Sequence, residues 1–404
     1  MSELYSLPKG WEWKKLEDLF TITSSKRVLK EDWLEKGIPF YRAREIVKLS
    51  QNGFVDNELF ISEEMYNSFS KKYGLPKVND ILVTGVGTLG ITYIVKENEK
   101  FYFKDGNIIW LKNDSNTNSK YIEYGFQTEF LKNQINSNSG STVATYTITN
   151  ANNTIIPIPP LEEQKRIVAK LDILFKKIDK AIALHQKNID EVNVFMASVL
   201  NDVFLELEEK YEKKELSNLV SKLGDGLHGT PKYDDNGEYY FINGANVKDN
   251  KIIVNQNTKK VNEDEYNKYK KELNDRTIFV SINGTIGNVG LYNNEKCILG
   301  KSACYFNLLE NIDKIYITYV LKNGDFQEYI EKNSTGATIK NVSLKTMRAY
   351  KIPLPPLPTQ QKVVAYLDEI SNKMEKIKQI QKEKMQSLKA LKASILDQAF
   401  KGEL

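Results

Sequence analysis

IPIPPLEEQKRIVAKLD, residues 156–172, returns at residues 352–368 as IPLPPLPTQQKVVAYLD, displaced by 196 residues and identical at ten of 17 positions. The same displacement carries ASVLNDVF (197–204) onto ASILDQAF (393–400), so the register holds through the intervening stretch without an insertion. Two copies of one unit therefore stand head to tail. The prolines at 157, 159 and 160, and again at 353, 355, 356 and 358, remove amide donors and bias their predecessors toward extended geometry. Each copy should leave its head as a stiff strand before a helix begins.

From about Glu162 to Leu207 the apolar positions Ile167, Leu171, Leu174, Ile178, Ile182 and Ile189 are mostly spaced by threes and fours, with no internal proline or glycine. The second copy repeats the seam with Val363, Leu367, Ile370, Met374 and Leu388 and should stop near Gly402. Forty-odd residues at 1.5 Å each make a rod of roughly 65 Å, which needs a partner stripe. The expected partner is its own duplicate, paired antiparallel. The boundaries read as a mixed head over 1–155, a helix over 156–207, a second head over 208–351 and a second helix over 352–404. In the first head, Ile81–Thr84 and Ile91–Val95 are strand-like and separated by a glycine turn, while Lys120–Gln134 has helical composition, giving an α+β class.

At 404 residues, 41% hydrophobic and 27% charged, the chain can bury several cores. Its net charge of +4 is not spread over the heads: residues 1–155 hold 19 basic and 19 acidic side chains, 208–350 hold 21 and 20, and the surplus sits on the second helix, with 10 and 6. Nucleic-acid binding by the heads would have to come from local patches. Cys297 and Cys304, with no histidine near them in sequence, offer neither a disulfide framework nor a zinc site and read as buried free thiols. With no run of about 18 apolar residues and no basic-then-apolar start, the expectation is a cytoplasmic chain without a membrane partner.

Gly85-Val86-Gly87-Thr88-Leu89-Gly90 matches a dinucleotide fingerprint, but the residues after it are β-branched where the cofactor needs a helix N-terminus. The second copy reads Ile282-Asn283-Gly284-Thr285-Ile286-Gly287, so a glycine turn between strands explains both. Gly300-Lys301-Ser302 resembles the end of a phosphate-binding loop, yet position 295 is Glu where that loop requires glycine. Only His185 and His228 are present, and no acidic spacing marks paired carboxylates. No active site and no metal site are expected.

The informative polar residues then lie in loops. In the first head these are Thr23, Ser25, Lys26 and Arg27, with Arg42 and Arg44; arginine can make a paired contact to guanine, while hydroxyls and lysine position phosphates. Ser141 and Thr142 stand in a small-residue loop whose counterpart holds Thr338 and Lys340, and Thr88 and Thr285 occupy the repeated glycine turn. The second head offers Lys222, then His228, Thr230, Lys232 and Tyr233, then Asn243 and Asn246.

The chain resembles the specificity (S) subunits of type I restriction-modification systems. The resemblance covers the full length and rests on Asp225-Gly226-Leu227-His228-Gly229-Thr230-Pro231-Lys232-Tyr233, the repeated Gly-Thr-Ile/Leu-Gly turn, the Ile-Pro-Ile/Leu-Pro-Pro-Leu boundary, and the terminal Ile395–Leu404. It implies two target recognition domains, each reading one half of a split site in double-stranded DNA, and an antiparallel helix pair fixing the unread gap. It also implies two methyltransferase subunits carrying S-adenosylmethionine, and restriction subunits using ATP, with no cofactor on this chain. By position, Thr230 and Lys232 belong to the loop facing DNA, whereas the first head departs from that loop at Ser25-Lys26-Arg27. Gln164, Arg166 and Lys170, with Gln360, Lys362 and Tyr366, are expected to meet the methyltransferases. The competing reading is a coiled-coil scaffold whose near-neutral heads bind proteins.

Overall fold

Both proline-rich boundaries form strands that tie the end of a head to its beginning. Ile155–Ile158 pairs antiparallel with Glu12–Lys15, and Lys351–Pro353 pairs antiparallel with Lys213–Glu215. The long helices follow, Leu161–Lys210 and Leu357–Lys401. The first carries Glu162 and Glu163 in its opening turn, and both end on lysine, in keeping with the helix dipole. Gly402, at φ +75°, ends the second. The computed structural model describes residues 4–137 and 144–404. It divides into one unit reaching to His185 and including Glu383–Leu404, and another formed by Gln186–Lys382.

The two heads share one topology. In the first, a four-stranded sheet runs in the order Thr21–Thr23, Ile108–Lys112, Ile81–Thr84, Thr92–Ile94; in the second the order is Val220–Asp225, Ala303–Leu308, Thr277–Ser281, Val289–Leu291. All neighbours in both are antiparallel. Each head adds a mixed three-stranded sheet centred on Ile38–Tyr41 or Tyr239–Ile242. They diverge just after that central strand, where the first head has the helix Ala43–Asn52 and the second has the hairpin Val247–Lys248/Lys251–Ile252.

Sequence composition predicts one helix over Lys120–Gln134; the structure has two, Ser119–Gln127 and Glu129–Ser137. Thr128 takes an extended conformation and its Oγ1 both donates to the Gly125 carbonyl and accepts from the Leu131 amide, so the hydroxyl ends one helix and caps the next. Asn323 makes the same break between Lys314–Lys322 and Gly324–Lys332. The glycine-rich GxGxxG stretch is a turn between antiparallel strands: Gly87 and Gly90 have φ of +72° and +73°, and Gly284 and Gly287 have +78° and +84°. A Cβ on Gly90 would lie 2.8 Å from Ile135. Cys297 and Cys304 are free and buried, and burial pushes the Cys297 thiol up to about 12.

Each unit is cored by its head and by segments of both long helices. In the first, Ile167, Leu171 and Phe175 join Leu396, Ala399 and Phe400 against Tyr121, Ile122 and the sheet residues Ile109 and Leu111. Phe400 stacks on Tyr121 with ring centroids 4.6 Å apart. In the second, Leu200, Phe204 and Leu207 join Leu367 against Tyr316, Ile317, Phe306 and Leu308. Within the first unit Arg166 reaches the Leu404 carbonyl and Lys392 meets Asp179 at 2.7 Å; within the second Asn188 donates to Gln381 at 3.4 Å. The helix segments therefore run antiparallel in each.

Gln164 and Gln360, expected at a subunit-docking face, are instead 4% and 1% exposed. Their amide nitrogens donate to the carbonyls of Pro159 and Pro355, and their amide oxygens accept from the backbone N–H of Asn118 and Asp313. The boundary carbonyls, stranded where prolines interrupt the backbone pattern, find their donor in these side chains. Tyr121 and Tyr316 donate to Pro157 and Pro353 in the same places, and Tyr124 and Tyr319 donate to Asp172 and Asp368 on the helices. Gln360→Ala strands a buried amide and a buried carbonyl at about 1–3 kcal/mol each. Urea unfolding should show the variant less stable by about 2–6 kcal/mol.

Candidate nucleic-acid interface

Three loops of the second head converge around a polar cleft. Gly226 starts the first; a Cβ there would sit 2.1 Å from the Leu299 carbonyl oxygen, so only glycine lets this loop lie across the strand end. The Leu227 amide donates to Leu299 and its carbonyl accepts from Lys301, which seats the loop. The glycine turn at 283–287 is joined to the 335–341 loop by Gly284 N–H to Lys340 O (2.9 Å) and Val342 N–H to Ile282 O (2.8 Å). Asp225, His228, Asn283, Lys301, Asn341 and Ser343 line the resulting space of about 530 Å³. Asp225 Oδ2 lies 2.7 Å from His228 Nε2, which holds the ring at the rim.

Thr230, Lys232, Thr285 and Thr338 are exposed on this head, and Tyr233 is 44% exposed with its ring tilted against Phe241. The Lys232 amide donates to Glu265, leaving its ammonium outward. Lys222 is paired with Glu272 at 2.6 Å, and Lys340 with Glu331. Asn243 and Asn246, expected to face DNA, are committed to the fold: Asn246 accepts from the Asn243 amide and donates to Ile253, while Asn243 Oδ1 accepts from Ser302. They close a 3-10 turn, Gly244–Asn246, which needs those groups to satisfy its backbone.

In the first head Lys26, Arg27 and Thr88 are exposed, and Lys26 Nζ sits 5.0 Å from the Tyr73 ring centroid. Thr23 is half-buried at a strand end. Ser25 is committed inward, its hydroxyl donating to the Phe103 carbonyl at 2.6 Å. Arg42 and Arg44, expected among the groups that meet DNA, are both bound by the buried Glu45: Arg42 by two bonds of 3.0 and 3.1 Å, Arg44 at 2.5 Å. Arg44 also pairs with Glu58. Arg42 is the residue before the helix Ala43–Asn52, and its own amide donates to Glu45, so its position is structural. Ser141 and Thr142 lie outside the described residues.

On the helices Lys170 is exposed, while Arg166 is held by Glu163 and the Leu404 carbonyl. Lys362 and the 52%-exposed Tyr366 line a groove of about 480 Å³ with Val199, Val203, Glu206 and Tyr211. Sequence reasoning missed Asn283, Lys301 and Asn341, because their loops are separated by tens of residues and meet only when folded. Only the recurrence of the glycine turn pointed to one of them. Among the described residues no group of three or more His, Cys, Asp or Glu could hold a metal, and no helix is long and apolar enough to cross a membrane.

A family model described as the type I restriction modification DNA specificity domain matches residues 8–194 and 208–384. The putative type I restriction enzyme MjaX specificity subunit of Methanocaldococcus jannaschii is 24% identical, over 96% of this chain and 93% of that one. A putative type I restriction enzyme specificity subunit of Haemophilus influenzae is 32% identical over 39% of this chain and 38% of its own length. A chain from a type I R-M system, solved to explain complex assembly and conformational transition, shares the fold with a TM-score of 0.75 at 21% identity, over 99% and 100% of the two chains.

Burial raises the Glu45 carboxyl, but hydrogen bonds from Arg42 and Arg44 outweigh it and hold the group below the usual carboxylate range. A depressed value stabilises the fold at neutral pH and is lost as pH falls through it. Glu45→Gln should therefore lower the urea midpoint at pH 7, and the gap to the parent should narrow in acid.

Proposed function

The chain belongs to the type I restriction-modification DNA specificity family, and from that premise we propose that each of its heads reads one half of a split duplex site. The observation that carries this is the duplicated head: one scaffold built twice, seated on its helix by the same Tyr-Gln-Tyr/Asp set, with loops that differ. A shared scaffold with unlike loops suits recognition of two unlike sequences. The exposed Thr230, Lys232, Thr285 and Thr338, with Lys26, Arg27 and Thr88, are the groups proposed to meet DNA directly. Lys222, Lys340 and Arg44 would first exchange their carboxylate partners for phosphate or base oxygens.

The two long helices are proposed to set the number of unread base pairs and to dock two methyltransferase subunits, with Lys170, Lys362 and Tyr366 at that surface. Methyl transfer from S-adenosylmethionine and ATP-driven restriction are assigned to the partner subunits, and this chain is proposed to catalyse neither. The isolated chain should then transfer no methyl group, and its activity in the complex should be one of selection.

Two measurements test the reading. A duplex shift assay with the methyltransferase added should show specific binding that weakens as salt rises, through displacement of ions from phosphates; salt-independent capture of proteins without DNA binding would favour the scaffold alternative. Adding one helical turn of about four residues to both long helices should change the gap in methylation maps and leave both half-sites intact. Altered half-sites with an unchanged gap would refute the ruler.

A further inference from the structure

We propose that the bridge joining the glycine turn to the following loop is a base-reading position, and that in the second head Asn283 and Asn341 together recognise an adenine in the major groove. The proposal rests on the DNA-specificity reading above and adds the residues and the base. Asn283 and Asn341 face each other across an isolated antiparallel bridge, and Asn283 Nδ2 donates to Asn341 Oδ1 at 3.2 Å. An amide side chain carries an acceptor oxygen and a two-donor nitrogen. The shared bond uses neither Asn283 Oδ1, an acceptor, nor Asn341 Nδ2, a donor, and both residues line the cleft where the three loops meet.

Adenine is the base whose major-groove edge complements that pair, offering the N6 amino donor beside the N7 acceptor. Guanine presents two acceptors, so its O6 would face the Asn283 oxygen. Cytosine offers only a donor, and thymine only an acceptor and a methyl group. Lys301, exposed on the same cleft, supplies a cation for a neighbouring phosphate.

The first head shows that the scaffold does not need the two amides. Val86 and Thr145 form the corresponding antiparallel bridge there, and Tyr146 N–H donates to Gly85 O at 2.9 Å as Val342 N–H does to Ile282 O at 2.8 Å. The bridge and this hydrogen bond are kept while the two side chains change from a pair of amides to those of valine and threonine. A bridge kept with changed chemistry, between two heads of one topology, is where a difference in reading can be written without disturbing the fold.

The test uses the full chain assembled with its methyltransferase subunit, methylation mapping, and competition binding by duplexes in which each A·T pair of the mapped site is replaced in turn by G·C. A parent complex that yields no split site defeats the family-level reading itself. Given a split site, N283V/N341T, which installs the first head's pair, should reduce discrimination at one A·T position of one half-site about tenfold. The other half-site and the gap should be unchanged. N341D, which replaces the donor by an acceptor, should give the same local loss and decides the matter if the double variant does not assemble. Parent-like discrimination at every position in either variant, or relaxation spread over both half-sites, overturns the proposal.

Discussion

A buried side-chain amide at the root of each long helix is the constraint on which the rest of the structure depends. The strands leading to the helices are proline-rich, so their carbonyls meet a backbone that cannot return a full set of donors. Gln164 and Gln360 close that deficit, each bridging a proline carbonyl just before its helix to a backbone amide of the head. Because both groups are deeply buried, alternative seatings would leave polar atoms unpaired, and the head is held at one angle to its helix. The tyrosines that donate to the first boundary proline's carbonyl and to the helix aspartate add to the same restraint.

With the heads seated, their near-neutral charge becomes intelligible. Several cations that look available in the sequence are paired with carboxylates on the same head: Arg44 with Glu45 and Glu58, Lys222 with Glu272, Lys340 with Glu331. A surface of this kind attracts phosphate weakly at long range, which favours contacts that depend on local geometry over indiscriminate binding. Polar side chains held on rigid glycine turns suit that task, since little conformational freedom is lost when they meet a ligand.

The comparison of the heads shows where the duplicated scaffold tolerates change. The four-stranded and three-stranded sheets keep their order, while the segment after the central mixed strand is a helix in one head and a hairpin in the other. The bridge carrying Val86 and Thr145 in one head carries two asparagines in the other. The helix and the hairpin each send apolar residues into their own core, Ile46 and Leu49 in one head and Val247 and Ile252 in the other, so the element can change while burial is kept; the bridge residues lie outside those clusters.

The sequence by itself determined the duplication, the two proline-marked boundaries, the long helices and the glycine turns, because each is written in local periodicity or in residues with restricted backbone choice. It also carried the family resemblance. It did not reveal that Gln164 and Gln360 are buried, or that Asn243, Asn246, Ser25 and the two arginines at 42 and 44 have partners within the fold, since a polar residue's type does not say which distant group it will meet. Lys120–Gln134 likewise read as one helix until Thr128 was seen to spend its hydroxyl on both flanking turns. Those choices, and the meeting of Asn283 with Asn341 across 58 residues, were decided by tertiary structure alone, because hydrogen-bond satisfaction depends on which distant groups burial brings within about 3 Å.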